Sequence, residues 1–128
     1  MKILLDTHTF LWLANDSPEL SKKARSVFLD PDCEFFLSLA SAWEIAIKSN
    51  LDKLSLPNPI EKFIPIQLQE NNITQLDVTF RHIVKIATLP LHHRDPFDRL
   101  IIAQAMEEQL PIMSSDKIFD KYPIKRLW

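Results

Sequence analysis

Five acids in this chain stand where chemistry could use them. Asp6 closes the apolar run Ile3-Leu4-Leu5, and Asp116 closes Ile112-Met113 after two serines. Glu44 interrupts an apolar helical stretch. Asp95 and Asp98 lie three apart in H-H-R-D-P-F-D-R-L-I-I-A-Q-A, His92 to Ala105, which also holds two arginines and a helix start. Carboxylates gathered within a few Å repel one another, and some stay protonated unless a cation neutralises them. Oxygen-only ligands select hard ions, Mg²⁺ or Mn²⁺, which keep several waters and accept phosphate as a further ligand. One such ion can polarise a phosphodiester; two can also activate the attacking water and stabilise the leaving oxygen. Phosphodiester hydrolysis is the natural chemistry of such a set, with no covalent nucleophile required.

Each acid also has a structural reading. Asp6 and Asp116 could simply cap the helical turns that follow their strands, although ligands in open α/β sheets do bind beyond the carboxyl ends of strands. Glu44 sits one turn from Lys48, and periodicity alone favours an exposed i, i+4 pair worth a few tenths of a kcal/mol. Asp95 before Pro96 reads as an N-cap, and Asp98 at the third helical position could reach back as in a capping box. His8, close behind Asp6, is at best an outer contact of the site. His92, His93 and Arg94 read as a solvated basic loop, and Cys33 carries no signal.

The elements that must position these acids follow from pattern. Lys2–Asp6, Glu34–Ser38, Ile73–Leu76, Pro111–Met113 and, at an edge, Ile124–Trp128 read as strands. Helices are expected at Thr7–Ala14, from a Ser17-Pro18 start to about Leu29, from Leu39 onward, at Ile60–Glu70, Thr79–Thr88 and Pro96–Glu108, with a helical turn at Ile118–Tyr122. In the helix from Leu39, the residues Leu39, Ala42, Trp43, Ala46 and Ile47 form the expected buried face. Strands alternating with helices predict one α/β domain over residues 1–128, a three-layer α/β/α sandwich around a central, mostly parallel sheet.

Composition narrows the function classes. Of 128 residues 46% are apolar and 25% charged, as in a soluble globular protein. No apolar run approaches the ~20 residues of a membrane span, and the N-terminus reads as a strand rather than a signal peptide. The single cysteine excludes an internal disulfide and points to a reducing, cytoplasmic setting. A net charge of −2 leaves no basic footprint for long nucleic acid. The chain has no glycine, which argues against phosphate-cradling loops and dinucleotide fingerprints; nine prolines supply the punctuation.

Four motifs then occur in order: L-L-D-T-H-T-F-L-W (Leu4–Trp12), S-x-x-S-A-W-E-I-A-I-K (Ser38–Lys48), H-R-D-P-F-D-R-L-I-I-A-Q-A (His93–Ala105) and M-S-S-D-K-I-F (Met113–Phe119). Together they resemble PIN-domain ribonucleases, close to the VapC toxins of bacterial toxin–antitoxin pairs. The resemblance implies a metal-dependent endoribonuclease using Mg²⁺ or Mn²⁺. Asp6, Glu44, Asp98 and Asp116 would be its catalytic acids, with Asp6, Asp98 and Asp116 as metal ligands. It overturns the bland preference for Glu44. Asp95 would be mainly a cap, Ser114 or Ser115 would assist the site, and Arg99 would contact substrate or inhibitor. It also implies an RNA substrate, a homodimer and an antitoxin whose C-terminal segment lies near the acids; composition offers the aromatic and leucine-rich Phe10 to Leu13, with Trp43, as a candidate surface for either contact. Two other classes compete. Aspartyl-phosphate chemistry would want a second Asp two residues after Asp6, where His8 stands; a degenerate binding module would use its acids only as caps.

Overall fold

A computed structural model describes residues 1–128. Five strands, β1 (Lys2–Leu5), β2 (Glu34–Ser38), β3 (Ile73–Leu76), β4 (Ile112–Met113) and β5 (Arg126–Leu127), form one sheet in the order β3-β2-β1-β4-β5. Every pairing is parallel. From β1 the chain builds outward through β2 to β3, then returns to lay β4 on the other flank. The order therefore reverses between β1 and β4, the kind of switch point at which open α/β sheets leave a crevice beyond their carboxyl ends. Leu5 pairs with Met113 there, so Asp6 and Ser114 emerge side by side.

Six helices cover the sheet: α1 (Thr7–Ala14), α2 (Lys22–Phe28), α3 (Leu39–Asn50), α4 (Ile60–Glu70), α5 (Phe80–Ile86) and α6 (Pro96–Glu107). A 3-10 turn follows at Lys117–Lys121. Alternation along the strands divides the core into two faces. Ile3, Leu5, Phe35, Leu37 and Met113 pack with Phe10 of α1, Ala24 of α2 and Phe63 and Ile64 of α4. Leu4 and Ile112 pack with Ile101, Ile102, Ala103 and Ala105 of α6 and with Phe119. Helix α3 supplies both clusters, Ile45 to the first and Ala40 to the second, and so lies across the sheet's end. This is the expected α/β architecture with a parallel sheet. No helix is long and apolar enough to cross a membrane.

Two expectations are corrected. Helix α2 begins at Lys22 with Ser21 as its cap, not at Ser17-Pro18. Ser17 closes a separate turn by accepting the Glu19 N–H, and the Arg25 guanidinium, paired with Asp16, holds the Ser17 carbonyl. Helix α3 buries Ala40, Ser41, Glu44 and Ile45, while Leu39, Trp43 and Ile47 of the expected inner face are exposed. Helix α5 buries His82 and leaves Phe80, Ile83 and Val84 outside.

Without glycine, the helices end on residues that tolerate the left-handed region less well. Asp16, Asp52, Asn72 and Gln109, each one residue past a helix C-cap, have φ between 48° and 57°. After α1, α3 and α6 this conformation closes a Schellman pair, as in Leu110 N–H to Ala105 O at 2.9 Å and Gln109 N–H to Met106 O at 3.4 Å.

Candidate active site

Asp6 leaves β1 as the N-cap of α1 and is 5% exposed. One carboxylate oxygen accepts the Thr9 N–H at 2.8 Å and the other accepts the Ser114 hydroxyl. Burial raises its pKa against the pull of those hydrogen bonds and of nearby His8. Thr9 also donates to Met113 O at 3.0 Å, fastening α1 to β4 beneath the carboxylate.

Glu44 is buried in α3 and carries the ion pair with Lys48 at 2.7 Å. The pairing expected from spacing is present, yet the exposure expected with it is not. Its second oxygen accepts the Thr7 hydroxyl at 2.7 Å, and Thr7 is 2.9 Å from the Ser41 hydroxyl. Thr7 thereby links the acid on β1's end to the acid on α3. Burying this charge is tolerable because both oxygens are engaged, one by a cation.

Asp116 is exposed and caps the 3-10 turn through Ile118 N–H at 3.0 Å, while its own N–H donates to Ser114 Oγ. Ser114 therefore serves two acids at once, and Ser115 makes no such contact. Asp95 caps α6, accepting from the Phe97 and Asp98 N–H groups at 2.9 and 3.1 Å.

Asp98 differs from all of these. Its carboxylate caps nothing and makes no capping-box bond back to Asp95. Its pKa is pushed up to about 7, first by burial and then by the negative charges of Asp95, Glu44, Asp6 and Asp116. The four acids remote from one another in sequence thus share one electrostatic neighbourhood, with Asp98 at its centre. The side chains repel at this range without any three of them closing on a single ion position. Such a donor set fits Mg²⁺ or Mn²⁺, which take one or two protein carboxylates directly and complete their shell with water and phosphate.

Arg99, expected at a substrate or inhibitor, is turned inward and is 9% exposed. Its guanidinium donates to Pro90 O at 2.9 Å, more weakly to His93 O and Leu89 O, and to the Tyr122 hydroxyl at 3.2 Å. It therefore clamps the loop ahead of α6. Sequence reasoning passed over Thr7, Thr9, Ser114's double role and Tyr122. The only advance signal was polar hydroxyls at positions 7 and 9 inside an otherwise leucine-rich and aromatic run.

The chain is 35% identical over 60 residues to Ribonuclease VapC16 of Mycobacterium tuberculosis, a match spanning 47% of this chain and 43% of that protein. The chain thus aligns with under half the length of that curated relative. Its fold is similar to the VapBC2 complex of Rickettsia felis bound to promoter DNA, with a TM-score of 0.76 and 15% identity over 99% of this chain and 98% of that one. It is also similar to the DNA-bound VapBC of Salmonella typhimurium, with a TM-score of 0.72 and 18% identity over 99% and 97% of the two chains. The family model of the PIN domain matches residues 3–125, and the chain belongs to that family.

Proposed function

We propose that this chain is a metal-dependent endoribonuclease and the toxin of a toxin–antitoxin pair. The observation that carries the reading is Asp98. Helix capping accounts for Asp6, Asp95 and Asp116, but no cap accounts for Asp98, a half-buried carboxyl in the field of four other acids. A degenerate binding module explains the caps and leaves Asp98 unexplained. The name of the Mycobacterium relative and the toxin–antitoxin complexes among the structural neighbours support the same reading.

Asp6, Asp98 and Asp116 would hold Mg²⁺ or Mn²⁺, one or two of them directly and the rest through bound water, with Glu44 as the fourth catalytic acid. The cation would supply Lewis acidity toward phosphate oxygens of RNA. The chain's own part is preorganisation. Ser114 and the Thr9 N–H fix Asp6; Thr7 and Lys48 fix Glu44. Asp98 gives up its proton near neutral pH, so it is poised to bind a cation under the conditions of the reaction.

Partners belong to the proposal too: an antitoxin, a second copy of this chain, and a cytoplasmic setting. Of the surface expected for them, Phe10 is wholly buried and Leu11, Trp12 and Leu13 pack on the core. Trp43, 59% exposed, is the part left available.

The test is RNA cleavage by purified protein with Mg²⁺ or Mn²⁺. Asp6→Asn and Asp98→Asn should each reduce cleavage at least a hundredfold. Cleavage unchanged in both variants would mean a contaminating nuclease and would overturn the assignment.

A further inference from the structure

Against the loop before α6 stands a line of polar groups that the proposed chemistry does not itself require. Tyr122 is 3% exposed, and the His92 ring stands edge-on to it at 5.0 Å. Its hydroxyl oxygen accepts from Arg99 at 3.2 Å and lies 2.8 Å from His93 Nδ1. Arginine can only donate, so the Tyr122 oxygen is already an acceptor and its own proton is free for Nδ1. In the neutral ring a proton accepted at Nδ1 leaves the hydrogen on Nε2. That nitrogen is buried without a hydrogen-bond partner, and the Asp98 Oδ2 lies 3.6 Å from it. The gap is slightly too long for a hydrogen bond. An orphaned buried donor is costly, and a small turn of the Asp98 carboxylate would satisfy it.

We infer that Arg99, Tyr122 and His93 form a one-way chain of donors that presents His93 Nε2–H to Asp98 and positions this carboxylate. The inference rests on the reading of Asp98 as a cation-binding acid. His93 is then a positioning residue, fixed in its tautomer from behind, much as outer hydrogen bonds orient metal ligands elsewhere. The Arg99 clamp on the loop carbonyls has a purpose in this arrangement: it holds the loop, and with it His93, in line with the first turn of α6.

Two measurements test it. Nitrogen-15 correlation spectra of the histidine rings at neutral pH should show His93 as the Nε2–H tautomer. Tyr122→Phe should convert it to a mixture, and Asp98→Asn should move the Nε2 proton resonance. A wild-type Nδ1–H tautomer, or a resonance indifferent to both substitutions, would overturn the chain. Calorimetric titration with Mn²⁺ provides the second readout. His93→Asn, too short to reach Asp98, should weaken binding about tenfold, whereas His93→Gln, whose amide N–H reaches the Nε2 position, should stay within about threefold of wild type. Equal loss in both would make His93 a packing residue and overturn the inference. If wild type binds no Mn²⁺, the proposed function falls, and the spectra alone decide whether the donor chain exists.

Discussion

At the scale of single residues, the acids of the site differ in what holds them, and that difference can be measured. Asp6 and Glu44 are buried but matched to donors, whereas Asp98 meets mostly like charge. Asp98 in the folded protein keeps its proton to about pH 7, against 3.8 for the ordinary group. Between those values the folded state binds more protons than the unfolded state. Stability contributed by the protonated form is therefore present at about pH 4 and lost as pH rises toward 7. Asp98→Asn keeps the side-chain shape and removes the ionisation. In the absence of metal the variant should melt about 3 °C or more above wild type at pH 7.5, with the gap closing toward pH 4. Added Mg²⁺ should raise the wild-type melting temperature and leave the variant nearly unmoved. Differential scanning fluorimetry across pH reads both effects, and a gap constant with pH would mean that the acids do not crowd Asp98.

At the scale of elements, boundaries were more legible than faces. The ends of α1, α4, β2 and β3 follow directly from caps, prolines and apolar alternation. The start of α2 did not, because Ser17 and Ser21 are both competent caps and only the Arg25 contact, distant in the pattern, separates them. The inner face of α3 was inverted for a different reason. Periodicity assigns the most apolar stripe to the core, but α3 turns small Ala40 and Ser41 inward so that Glu44 can reach Thr7. The convergence of Asp6 and Asp98 depends on strand order, which local pattern does not encode; acids at two strand ends suggested a meeting point for Asp6 and Asp116, and the family resemblance added Asp98 to it. The lack of glycine also leaves a mark here. Gln109 occupies the left-handed region after α6 with φ 55°, without the local side-chain help that Asn72 can use. Gln109→Gly should stabilise the protein by about 0.5–1 kcal/mol, after allowing for the added backbone entropy of the unfolded chain. Asn72→Gly should change it by less. Chemical denaturation of the two variants checks the order, and equal or reversed effects would show that strain at the α6 terminus is negligible.

At the scale of the whole molecule, the same inversion that brings Glu44 inward leaves apolar surface outside. Leu39, Trp43, Ile47 and Leu51 recur every four residues along α3, all partly or largely exposed. Monomeric proteins seldom leave a continuous apolar stripe of this kind uncovered unless it binds something. The stripe is also joined to the site, because Trp43 stands edge-on to Phe97 at 5.0 Å, and Phe97 precedes Asp98 in the first turn of α6. A partner on α3 would therefore press on the element that carries the central acid, which gives association a direct route to activity. If the proposed homodimer meets along this stripe, a charge placed in it should weaken the assembly, beyond the local loss of the Trp43–Phe97 contact. Trp43→Glu, at a position 59% exposed, should leave the circular dichroism spectrum unchanged and shift the protein from dimer to monomer in light scattering at micromolar concentration. A wild type that is monomeric under the same conditions would sink the homodimer, and a dimeric variant would move the interface elsewhere, with the exposed Phe80, Ile83 and Val84 of α5 next in line.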